Sequence, residues 1–225
     1  MKHVLPPLLL VLALAGCRST EPMTPAPAPA AQASTPPSAD LEALYWARQD
    51  SARTRFTEAD VHFITGMIVH HAQALVMSAL APTHDAGPAV RRLTARILNA
   101  QRDEIATMQQ WLRDRGLTVP EIEIDGIRLT VHGVDPHMMH MPGMLSQAQL
   151  EALDAARGPE FDRLFLEYMI QHHRGAVDMV EKLFATDGAA LDEQVFKLAS
   201  DIQVDQRTEI ERMRLMLQQM NGAGR

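Results

Sequence analysis

Phe63-Ile64-Thr65-Gly66-Met67-Ile68-Val69-His70-His71-Ala72-Gln73-Ala74 returns 102 residues later as Phe165-Leu166-Glu167-Tyr168-Met169-Ile170-Gln171-His172-His173-Arg174-Gly175-Ala176. At the same offset Asp60 matches Asp162 and Met77 matches Met179. A second set matches at an offset of 105: Leu93 with Leu198, Ile97 with Ile202, Gln101 with Gln206, Glu104 with Glu209, Ile105 with Ile210, Met108 with Met213 and Leu112 with Leu217. The three extra residues are placed in the intervening turn. At about 100° per residue, Phe63, Met67, His70, Ala74 and Met77 form one stripe, and Ile97, Gln101, Glu104, Ile105, Met108 and Leu112 form another. Each half therefore reads as a helical hairpin, a His-His helix followed by a Gln/Glu helix. Two such hairpins bury their apolar faces together, which predicts an all-α, duplicated four-helix bundle.

Local signals bound the hairpins. Thr57 caps a helix whose first turn carries Glu58 and Asp60, Pro82, Gly87 and Pro88 mark the turn, and Gly116 ends the second helix, so hairpin 1 runs over about 57–116. In the connector, 117–145, Glu121-Ile122-Glu123-Ile124 and Ile127-Arg128-Leu129-Thr130-Val131 alternate around Asp125-Gly126, the signature of a small β-hairpin appendage. Ser146 and Gln149 suit the cap of a short helix reaching Ala155, and hairpin 2 spans about 146–220, its His-His helix beginning near Pro159.

Ahead of the bundle, Lys2 and His3 precede an apolar run from Val4 to Ala15 that ends in Leu14-Ala15-Gly16-Cys17. The run is too short for a membrane span and is followed by a cysteine, which predicts a lipoprotein signal over 1–16 and lipidation of Cys17. Acyl chains on that cysteine would hold the protein on a membrane in the bacterial envelope. With Arg18 rather than Asp next, the resemblance to bacterial lipoproteins places it on the periplasmic side of the outer membrane in a Gram-negative host. Residues 17–39, rich in Pro, Ala, Ser and Thr, read as a tether, and the bundle domain as 40–220. Cys17 is the one cysteine of the chain, so any metal site must use His, Met, carboxylates or amides. The chain has 21 basic and 28 acidic residues; loss of Lys2 with the signal would leave 20 against 28, or −8. That balance, with no basic tract, argues against a nucleic-acid partner.

The chemistry lies in what interrupts the inward stripes. A histidine, a glutamine and a glutamate recur on both, and buried polar groups need partners. A hydrogen-bonded core layer, with Gln101 and Glu104 facing His70, is one way to satisfy them. Metal binding is the other, with His70 and His172 as the inward members and His71 and His173 completing a site, orienting a ligand or standing at a helix interface. Met67, Met77 and Met108, with their counterparts Met169, Met179 and Met213, put thioethers one or two turns from each polar group. His137-Met138-Met139-His140-Met141-Pro142-Gly143-Met144 adds six soft or borderline ligands in eight positions. Thioethers favour Cu(I) and imidazoles take copper in either oxidation state, so copper is the metal this set selects. The candidate ligands are these histidines and methionines with Glu104 and Glu209. Read otherwise, the connector is a hydrophobic lid over the bundle end.

The run Phe165 to Ala176, preceded by Met141-Pro142-Gly143-Met144 and followed by Gln206 to Met213, closely resembles domain of unknown function family 305 over about Asp60 to Met220. The resemblance implies a ferritin-like four-helix bundle, secreted or lipid-anchored, in a family that includes copper-binding and copper-tolerance proteins without established catalysis. Ala72-Gln73 stands where the second copy has Arg174-Gly175, so the two halves need not be equivalent. The expected function is copper sequestration, buffering or transfer at the envelope, with a copper donor or acceptor protein as partner. A metal-free structural or adaptor bundle is the alternative. A di-iron oxidase fits less well, because such sites need a Glu-x-x-His pair on each of two helices, and Thr107 and Arg212 stand three residues after Glu104 and Glu209. No catalytic residues are assigned.

Overall fold

The computed structural model describes residues 38–53 and 55–223. The signal peptide, Cys17 and nearly all of the tether lie outside the described residues. The elements are α1 (Ser38–Arg53), α2 (Glu58–Ala79), α3 (Pro88–Asp114), β1 (Glu121–Asp125), β2 (Arg128–His132), α4 (Gln147–Ala155), α5 (Gly158–Phe184) and α6 (Glu193–Ala223), with 3-10 turns at Ala81–Thr83 and Pro136–His140. α2 packs on α3 and α5 packs on α6, while α2 and α5 join the two hairpins. Helix α1 was not expected. Its Leu41, Leu44, Tyr45 and Trp46 are about half exposed, so it lacks the buried stripe that announces the others, and it begins at Ser38, inside the expected tether.

The caps explain the boundaries. Thr57 and Asp60 form a capping box on α2, and Ser146 and Gln149 form one on α4. Gly116, at φ +65°, lets the chain leave α3, where Leu117 N–H donates to Leu112 O at 3.0 Å. The three extra residues lie elsewhere than expected. The turns, Leu80–Gly87 and Ala185–Asp192, are equally long, and the insertion lengthens α5. Pro82 stops α2, having no N–H and disfavouring helix before it, whereas α5 meets no proline and continues.

Phe63 and Met67 from the start of α2 pack with Met179 and Leu183 from the end of α5, whereas Ala74 and Met77 pack with Phe165 and Met169. The two helices are therefore antiparallel, related by a pseudo-twofold axis between the halves. The matched aspartates tie the halves together. Asp60 Oδ1 accepts the Ala190 N–H at 2.7 Å, and the Asp162 carboxylate accepts the Gly87 N–H at 3.1 Å, so each aspartate holds the other hairpin's turn. α2 with its following turn has the length and hydropathy of a membrane span, but 83% of that window is buried in protein, as befits the core helix of the bundle. Strands β1 and β2 pair antiparallel, Glu121 opposite His132, and rest against α2.

Candidate metal centre

The apolar core is divided at its waist. On α3, Leu93 and Ile97 belong to one cluster and Ile105, Met108 and Leu112 to the other, with Gln101 between them. On α6, Ile202 and Ile210 are divided by Gln206 in the same way. His70, His71, His172 and His173 meet at this level, all fully buried.

His70 and His172 face each other across the α2–α5 contact with ring centroids 3.8 Å apart. His70 Nε2 lies 3.0 Å from Pro142 O, His71 Nε2 2.6 Å from Glu104 Oε2, and His173 Nε2 2.7 Å from Glu209 Oε2. A carbonyl and a carboxylate can only accept, so Nε2 carries the proton in all three rings. In a neutral ring the other nitrogen is then a bare lone pair, and Nδ1 of all four histidines is buried without a partner. His172 has no partner at Nε2 either, and both amide atoms of Gln101 and Oε1 of Gln206 are likewise unpaired. Burial, reinforced by His71, holds His70 down to about 3 despite the opposing Pro142 bond. Burial, followed by His70 and the other two rings, pushes His172 well below its ordinary range. Both rings are therefore neutral near pH 7, the state in which imidazole can ligate a metal.

Glu104 and Glu209 are about one-sixth exposed and bring the layer to solvent. Asp205 stands beside them: burial first, then Glu104 and Glu209, raise its pKa. Imidazoles anchored at one nitrogen by a carboxylate or carbonyl, with the other nitrogen free, have the usual arrangement of metal-ligating histidines. Among the described residues, no three His, Cys, Asp or Glu side chains are placed to hold one ion together. The donors this layer offers are histidine nitrogens, which suit copper, zinc, iron or nickel.

The other predicted residues divide. Met67, Met108 and Met179 are in one core cluster, and Met77, Met169 and Met213 in its pseudo-symmetric counterpart. In the connector Met138 is buried and His137 is exposed, while Met139, His140, Met141 and Met144 line a pocket with Gln73 and Leu145. Glu104 pairs with His71, not His70, because neighbouring helical residues point about 100° apart and His71 is the one turned toward α3. The connector covers the waist of the bundle rather than its end, since Pro142 reaches His70 in the middle of α2.

The departures between the two copies explain this placement. Gln73 donates to Leu145 O at 3.0 Å and accepts from Leu145 N at 2.7 Å. At the matching position, Gly175 lets the connector backbone touch α5: a Cβ there would come within 3.0 Å of Pro142 O and of Gly143 Cα. Gly143, at φ +77°, makes the complementary approach. Gln73, Pro142, Gly143 and Gly175 were not among the expected site residues; the unequal Ala72-Gln73 and Arg174-Gly175 were the signal that could have found them.

The model of the domain of unknown function DUF305 matches residues 60–222. The chain belongs to the DUF305 family. It is similar to a solved DUF305 fragment from Deinococcus radiodurans, at 30% identity and TM-score 0.60, covering 73% of this chain and 98% of that one. A candidate secreted DUF305 protein from Streptomyces coelicolor is 26% identical, TM-score 0.59, over 72% and 94% of the two chains. CopM in its Cu(II)-bound form is 30% identical, TM-score 0.54, over 71% and 96%; CopM has also been solved with Cu(I) and with silver. No curated protein matches the sequence.

Proposed function

We propose that this DUF305 protein binds copper in the histidine layer at its waist and sequesters, buffers or hands on the ion at the cell envelope, without turnover of a substrate. The observation that carries the reading is the set of four buried Nδ1 atoms without partners: Nε2 of His70, His71 and His173 is anchored to Pro142 O, Glu104 and Glu209, and His172 is unpartnered at both ring nitrogens. Leaving such lone pairs unused costs about 1–3 kcal/mol each, and a metal ion removes that cost. His70 and His172 would hold the ion, with His71 and His173 beside them. The similarity to CopM, solved with Cu(I) and Cu(II), supports copper as the cargo. Cys17, as the lipidated residue of a leader ending at Gly16, would tether the bundle to a membrane through 17–39, and the ion would pass to or from a partner protein there.

The test is a parallel titration with Cu(I), Cu(II), Zn(II) and Fe(II) of the wild type and of the His70→Leu/His172→Leu variant. Copper should bind most tightly, and the variant should lose that binding while keeping its helical content. Equal weak affinity for all four ions, unchanged in the variant, would favour a structural bundle whose polar layer serves the fold. That second reading draws on the lack, among the described residues, of a ready-made cluster of three His or carboxylate side chains.

A further inference from the structure

Gly66 lies buried in the middle of α2, where glycine is less favourable than alanine, and nothing in its backbone demands it. The space beside it is what uses the missing side chain. A Cβ on Gly66 would stand 3.5 Å from Met138 Sδ, 3.5 Å from Met179 Cε and closer still to Met141 Cε. The Met138 sulfur and the terminal methyls of the Met141 and Met179 thioethers, two from the connector and one from α5, thus gather around one point. The second copy cannot repeat this, because Tyr168 occupies the matching position. Two of the three, Met141 and Met179, line a cavity of about 310 Å³ with Phe63 and Leu183, whose wall also carries His62, Asp178 and Lys182.

We propose that Met138, Met141 and Met179 form a thioether-only site at Gly66 that takes a monovalent soft cation, Cu(I) or Ag(I), and is separate from the histidine layer. It rests on the copper reading above and adds to it a second site with its own selectivity. Neutral thioethers match the softness of Cu(I), and in an apolar setting they offer no charge to offset a divalent ion, so Cu(II) and Zn(II) are excluded. Met141 is bonded to Pro142, whose carbonyl accepts from His70, so this site adjoins the histidine layer through one peptide unit.

The experiment titrates the full chain with Ag(I) and Cu(I), following the methionine ε-methyl resonances by NMR, in the wild type, in Met138→Leu/Met141→Leu/Met179→Leu and in His70→Leu/His172→Leu. Leucine keeps the apolar volume, and the wild-type methyl shifts need no variant. The result expected is that the ε-methyls of the three residues move on adding Ag(I), that the triple variant loses one equivalent of Ag(I), and that its Cu(II) binding is unchanged. The proposal is overturned if those methyls stay fixed while Ag(I) saturates the protein, or if the triple variant keeps every equivalent. Loss of Cu(II) binding in the histidine variant with the methyl shifts intact leaves both sites standing. Methyl shifts with a histidine variant that binds copper normally would remove the histidine site and keep this one.

Discussion

Replacing Gly175 by alanine tests how the connector is held on the bundle. In a helix interior the change should stabilise by about 1 kcal/mol, since glycine has the greater backbone freedom to lose. Here the new Cβ would fall within 3.0 Å of Pro142 O and of Gly143 Cα, which are backbone atoms and cannot rotate away. The connector must lift. That breaks the two Gln73–Leu145 bonds, worth about 1 kcal/mol each, and leaves the buried His70 Nε2–H without Pro142 O, at about 1–3 kcal/mol. Against the helix gain, the net loss is about 3 kcal/mol, or roughly 6–12 °C in Tm for a domain of this size. Urea and thermal unfolding give the stability, and hydrogen exchange at the Leu145 amide reports the connector directly. Gly222→Ala, with nothing within 4 Å of the added Cβ, is the control and should not destabilise. A Gly175→Ala protein as stable as the wild type, with its Leu145 amide still protected, would refute the reasoning.

Glu104→Gln and Glu209→Gln each replace a charge-assisted bond to a buried imidazole with a neutral one, so each should cost about 1 kcal/mol in chemical denaturation, and the two should cost alike because the halves are pseudo-symmetric. Metal-free protein should weaken in mild acid. His70 stays neutral in the fold down to about 3 but titrates near 6.5 when unfolded, so below 6.5 the unfolded chain binds more protons and stability falls as pH falls. The slope is about 1.4 kcal/mol per pH unit for that ring, and His172 acts in the same direction. Denaturation midpoints that stay constant between pH 7 and pH 5 would contradict it.

Much of this was legible in the sequence because duplication doubles each signal. The His-His and Gln/Glu stripes show both the hairpins and the polar layer, since a matched polar residue on an apolar stripe has no simple packing explanation. The geometry within the layer was not legible. Periodicity puts His70 and Glu104 on inward faces, but it does not show that Glu104 meets His71, which depends on how α3 is rotated against α2. Nor does spacing reveal that Met138 and Met141 turn in toward Gly66 while His137 stays in solvent; that follows from the connector path set by Gln73 and Gly175. α1 escaped notice because its apolar residues are not buried against the bundle and leave no stripe to read.

His70 and His172 are proposed to hold the metal through Nδ1, with His70 Nε2 kept on Pro142 O. Imidazole ¹⁵N NMR of the protein before and after loading with Cu(I), which is diamagnetic, tests it most directly. Expected are a neutral, Nε2-protonated His70 ring in the metal-free protein, and a shift of the His70 and His172 Nδ1 resonances on loading, with the His70 Nε2 proton retained. Saturation with Cu(I) that leaves the Nδ1 resonances of all four rings unmoved would contradict it.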